Sequence, residues 1–187
     1  MLTLVTRPVR LALRASASTR ARSAAPVSDV WDILVHPGRW AEFDPFVESV
    51  ALLPAAEPAS EPASESASES FAAEFTADQH VAVGQQLRAR VRLIPLRVAM
   101  EVDHVVNRSS LATTARLLPG LAEEVEHLVI PLASGGSLLT VRFTLHGPLA
   151  LPALVPRWLV RALTVRLLAR AAEGSLREQA PGVPSVA

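Results

Sequence analysis

Apolar residues recur along this chain at two different spacings, and the switch between them separates a sheet from a helix. Between Val83 and His146 the period is two. In Val83–Leu93, Leu87, Ala89, Val91 and Leu93 alternate with Arg88, Arg90 and Arg92. In Leu96–Val106, Leu96, Val98, Met100 and Val102 alternate with Arg97, Glu101 and Asp103. Such alternation marks strands with one dry face and one wet face. Leu111–Leu117, Leu121–Pro131 and Leu138–His146 continue the pattern. Val125, His127 and Val129 share a face in the second of these, and Leu139, Val141, Phe143 and Leu145 point inward in the third. Ile94-Pro95, Asn107-Arg108-Ser109, Pro119-Gly120 and Gly135-Gly136 supply short turns. Strands joined so tightly pair antiparallel.

From Leu149 to Glu178 the spacing becomes three and four, which predicts a long helix. Pro152 and Pro156 stand near its start, where a missing amide donor costs least. Leu154, Trp158, Ala162, Val165, Ala169, Ala172 and Leu176 share one face, whose alanines leave space for a cavity against a sheet. Val160, Leu163 and Leu167 form a second strip, expected to face outward, toward solvent, a second copy or another surface. The arginines lie between the strips, where stems cover apolar surface and heads reach water.

Upstream, Val9 to Arg22 alternates like a first strand, preceded by a loose end. Ala25–Trp40 (APVSDVWDILVHPGRW) predicts a short helix with Val27, Val30, Trp31 and Leu34 on its apolar face, broken at His36-Pro37-Gly38. Arg39 to Asp44 adds another helical turn, and Phe46 to Leu53 a strand. Residues 54–70 carry a tetrapeptide repeat of Glu, Pro, Ala and Ser, expected to be a disordered, acidic spacer within one domain spanning 1–180, because such side chains bury too little to offset ordering. Residues 181–187 read as a flexible tail. The sum is an α+β protein: a curved seven-stranded antiparallel sheet covered by a long C-terminal helix, with two short helices after strand 1.

Composition narrows the chemistry. The 187 residues hold no cysteine and no tyrosine, and all 18 basic residues are arginine. Disulfides, thiolate catalysis and lysine Schiff bases are excluded. Formal net charge is zero, which gives no case for a nucleic-acid partner. The arginine in every few positions of the long helix argues against stable membrane insertion. No signal-peptide core is evident, and the arginine- and alanine-rich usage points to a bacterial, cytoplasmic protein. No ligand-spaced HxH or HExxH, no GxSxG and no glycine-rich phosphate loop occurs, so neither a metal nor another cofactor is expected.

The ordered set APVSDVWDILVHPGRWAEFDPFVESV, a strand opened by Gly84, the hairpin GGSLLTVRFTLHGPL and the closing helix resembles the START-like, helix-grip superfamily (SRPBCC), within it the polyketide cyclase/dehydrase and lipid transport group. The match spans most of Ala15–Glu178. The resemblance implies a sheet gripping the long helix, with a cavity between them for a hydrophobic small molecule such as a lipid or polyketide.

Two histidines interrupt the inward apolar rows: His104, in line with Met100 and Val102, and His127, between Val125 and Val129. Thr113 lies in line with Leu111 and Ala115. The ligand-facing set read from the sequence is His104, His127, Thr113, Met100, Phe143, Trp158 and Ala162, a mostly apolar surface with a few polar points to orient a ligand. Trp40, Phe43 and Phe46 are candidates for the cavity mouth. Glu123, Glu124 and Glu126 read as a solvated strand face. Two rival functions stand beside ligand binding: an aromatase/cyclase or dehydratase using an inward histidine, and an interaction module or homodimer using the outer strip Val160-Leu163-Leu167.

Overall fold

The computed structural model describes residues 13–53, 73–74, 79–92 and 97–179. The 57–70 repeat, the 181–187 tail and the Ile94-Pro95 connection lie outside them. The strands are β1 (Arg14–Ser23), β2 (Val47–Leu52), β3 (Ala73–Glu74), β4 (Gln86–Val91), β5 (Arg97–Val106), β6 (Ser110–Leu118), β7 (Leu121–Pro131) and β8 (Ser137–His146); the helices are α1 (Val27–Val35), α2 (Trp40–Phe43) and α3 (Ala150–Gln179). A 3-10 turn, Pro37–Arg39, joins α1 to α2. The seven expected strands form one curled antiparallel sheet, to which β3 adds a two-residue edge; the order is β1-β8-β7-β6-β5-β4-β2-β3. The sheet, the long helix and the paired short helices match the sequence expectation.

The helix α3 runs along the edge strand β1. Gly147 N–H donates to the Leu13 carbonyl (2.9 Å) at one end. Midway, the Trp158 Nε1–H donates to the Ser18 carbonyl (3.2 Å). At the other end Ser23 Oγ donates to the Ala169 carbonyl (3.0 Å) and Ala24 N–H to Glu173 Oε1 (2.8 Å). An edge strand otherwise offers unpaired backbone groups to other chains, and α3 blunts this one. Beneath it Phe143 and Leu145 of β8 and Val165, Leu168, Ala169 and Ala172 of α3 are buried in a shared core. Because α3 lies over β1 and β8, those strands are covered directly, and the gap opens further along the sheet, over β4 to β7.

One irregularity decides where a histidine points. Across β5 and β6, Val102 pairs with Thr113 but His104 pairs with Ala112, so Asp103 is an extra residue in β5. Such a bulge reverses the alternation. Val102 is buried on the inner face, Asp103 accepts from the outer-face Thr114 hydroxyl (2.8 Å), His104 is exposed, and Val105 returns inward opposite Leu111. The expectation that His104 continues the inner row of Met100 and Val102 is therefore corrected.

Candidate functional site: a cavity between sheet and helix

The gap between the sheet and α3 holds a cavity of about 120 Å³. Leu34 of α1, then Trp40, Phe43, Phe46 and Val47, wall one side. Ala89 and Val91 of β4, Val98 and Met100 of β5, and Thr113, Ala115 and Leu117 of β6 form the floor. Glu123 and His127 of β7 face Arg157, Val160, Arg161 and Thr164 of α3. The floor follows from strand parity, since alternate residues of neighbouring strands in register turn to one face. Trp40 is fixed by its Nε1–H donating to the Leu34 carbonyl at 3.0 Å.

The structure thus brings Met100, Thr113 and His127 onto the cavity wall, and leaves out four of the residues singled out from the sequence. His104 is on the opposite face. Phe143 is inward and buried, but it lies beneath the helix-covered part of the sheet. Trp158 is turned toward β1 and 41% exposed, and Ala162 is half-buried outside the cavity lining. The face of α3 that meets the cavity is Arg157, Val160, Arg161 and Thr164, rotated from the stripe read off the apolar residues. Val160, expected in an outward strip with Leu163 and Leu167, points into the cavity; Leu163 is exposed and Leu167 packs on the core.

The cause of that rotation is Glu123, which sequence reading placed among solvated carboxylates. It is 0% exposed. Arg161 donates to it through Nε (3.2 Å to Oε1) and Nη2 (2.9 Å to Oε2). Arg157 grips the same two oxygens through Nε (3.3 Å) and Nη2. Two parallel forks on one carboxylate are strong and directional. Residues four apart on a helix stand on one side of it, so both arginines can reach a single strand residue. Burial pushes the Glu123 carboxyl upward, but Arg161 and Arg157 more than offset this and hold it below the usual carboxylate range. The signal in the sequence was parity: Glu123 shares its face with Leu121, Val125 and His127.

One polar atom in the cavity wall, Thr164 Oγ1, has no partner among the described residues. Thr164 is only 4% exposed. A buried polar atom without a partner loses the hydrogen bond it had with water, so native proteins seldom leave one empty. His127 is pushed down to about 3, by burial first and then by the Arg161 charge, against the pull of Glu123 and of a hydrogen bond to the Leu111 backbone. It is a neutral imidazole at pH 7, able to donate and to accept. Among the described residues no group of three or more His, Asp or Glu side chains is placed to hold a metal, and no helix is long and apolar enough to cross a membrane.

No family profile and no curated relative matches this chain. Solved structures do. Norcoclaurine synthase from Thalictrum flavum, in complex with dopamine and hydroxybenzaldehyde, is similar over 97% of this chain and 99% of its own, with 14% identity and a TM-score of 0.61. The protein Ara h 8.0201 matches over 89% of this chain and 100% of its own (12% identity, TM-score 0.56). Protein CV1439 from Chromobacterium violaceum matches over 84% and 96% (16% identity, TM-score 0.55). With the curled antiparallel sheet, the long C-terminal helix and the two short helices after β1, this chain has the START-like, helix-grip fold that its sequence resembles.

Proposed function

We propose that this protein binds a hydrophobic small molecule, about the size of one ring, in the cavity between the sheet and α3. The observation that carries this reading is a largely apolar cavity with an unpartnered hydroxyl, Thr164 Oγ1, and a neutral imidazole, His127, in its wall. Apolar burial supplies the affinity, and a few polar points supply orientation. Its 120 Å³ is close to the roughly 150 Å³ of a cavity that admits benzene and below the roughly 300–1,000 Å³ of drug-sized pockets. That favours one ring over a lipid or a multi-ring polyketide. The similar norcoclaurine synthase structure holds dopamine and hydroxybenzaldehyde, each a one-ring compound.

Binding is a better fit than a cyclase or dehydratase. His104 lies outside the cavity, and a histidine pushed down to about 3 is a weak base at neutral pH, far from the matched value that general catalysis favours. The test is calorimetric titration with toluene and phenol. The reading predicts one saturable site with a negative heat-capacity change, lost when Ala115→Leu fills the cavity. Absence of a site, or an unchanged site in the filled variant, overturns it.

A second reading concerns α3 itself. Leu151 (59% exposed), Val155 (65%), Leu159 (57%) and Leu163 (43%) recur every fourth residue and form an outward aliphatic stripe. This supports self-association through that face. Sedimentation equilibrium should show a dimer that Val155→Asp with Leu159→Asp dissociates; a wild-type monomer at micromolar concentration removes the reading.

A further inference from the structure

The cavity is rich in hydrogen-bond donors and poor in acceptors. Each guanidinium carries five N–H donors, and Arg157 and Arg161 each commit two groups, Nε and Nη2, to Glu123. Glu123 is saturated by the two forks. Two other side chains on the wall offer acceptor oxygens without charge, Thr113 and Thr164, and the neutral His127 offers at most one nitrogen. Asp44 is the second acid on the wall. It stands close enough to Arg161 to help raise that group's pKa, but its Oδ1 already accepts the Phe46 N–H at 3.0 Å and it makes no hydrogen bond to either arginine among the described residues. A ligand that completes this site brings acceptors in a planar pair, which matches the guanidinium fork.

From this we infer that the ligand is a small apolar monocarboxylate, its carboxylate on the free N–H groups of Arg157 and Arg161 and its apolar body against Phe43, Met100 and Ala115. The inference rests on the cavity being a ligand site. Glu123 is then a positioning residue: it holds both guanidinium planes toward the cavity and shields their mutual repulsion. Thr164, one turn beyond Arg161 on the same face of α3, supplies a hydroxyl to the same ligand end.

The experiment is titration calorimetry of the full chain at pH 7 with benzoate, its near-isosteric amide benzamide, and toluene. The expected order places benzoate at least tenfold tighter than benzamide. Arg157→Gln, which leaves the Arg161–Glu123 fork in place, should erase that preference, and Arg157→Lys should restore part of it. If benzamide or toluene binds and benzoate binds no better, the carboxylate inference fails while the cavity reading stands. If Arg157→Gln folds and keeps the full preference, the assignment of the carboxylate to these arginines fails. If none of the three compounds binds, the cavity reading fails and takes the inference with it.

Discussion

The Glu123 carboxylate on β7 meets the Arg161 guanidinium on α3 in a side-on fork, 3.2 Å from Nε and 2.9 Å from Nη2, in a place where the carboxylate has no contact with solvent. This pair sets the roll of the helix, because the arginine face must look inward for the fork to close. Removing one partner of a buried ion pair strands the other, at a cost of about 3–5 kcal/mol. Glu123→Leu should therefore destabilise the protein by about that amount. The double variant Glu123→Leu with Arg161→Leu should recover much of the loss, since Arg157 is already a quarter exposed and can turn to water. Urea denaturation of the three proteins decides it: equal midpoints for single and double variants are incompatible with the pair being coupled.

His127 makes stability depend on pH. Its folded value of about 3 lies below the ordinary 6.5, so between these limits the unfolded chain takes up the proton first. Stability then falls as pH falls, by up to about 1.4 kcal/mol per unit. Glu123, held below its ordinary 4.5, adds its own loss only as pH drops below that value. Between pH 6.5 and 5 the slope of unfolding free energy should therefore flatten in His127→Gln. A slope unchanged by that substitution contradicts a buried neutral imidazole.

His104 serves as the control. Exposed on the outer face beyond the bulge, it should tolerate His104→Ala within about 0.5 kcal/mol of stability, with no effect on toluene binding. A binding loss in His104→Ala as large as in His127→Ala would mean that the β5 bulge does not persist in solution.

The turn between β7 and β8 gives a backbone test. Gly135 (φ +84°) and Gly136 (φ +77°) both occupy the left-handed region, which costs a residue with a side chain about 1–3 kcal/mol. A methyl group on Gly135 meets nothing within 4 Å, whereas one on Gly136 runs into the Ser23 carbonyl at the end of β1. Gly136→Ala should lower the melting temperature distinctly more than Gly135→Ala. Equal effects would show that β1 does not sit tightly against this turn.

Alternation in β4 to β8 and the three-and-four spacing after Leu149 made the sheet, the short helices and the gripped helix legible in the sequence, because burial on one face dictates those periods. The cavity wall was legible at Met100, Thr113 and His127, which obey strand parity. His104 departs from strand parity because a bulge is a change of register: the adjacent polar pair Asp103-His104, followed by Val105, is the local sign of it. The inward face of α3 is not legible from its apolar residues alone. A buried Arg-Glu-Arg cluster has no hydrophobic signature, and its trace was a carboxylate on the inward parity of β7 together with two arginines four apart.

The most direct measurement uses the methionines. The chain has two, Met1 and Met100, and Met100 lies on the cavity floor. Protein labelled with ¹³C in the methionine methyl groups therefore has one reporter inside the site and one elsewhere in the sequence. On titration with toluene, the Met100 methyl resonance should shift saturably through the ring current of the bound molecule, and Ala115→Leu should abolish the shift. A Met100 resonance that stays still to saturation, or that moves equally in the filled variant, contradicts ligand binding in this cavity.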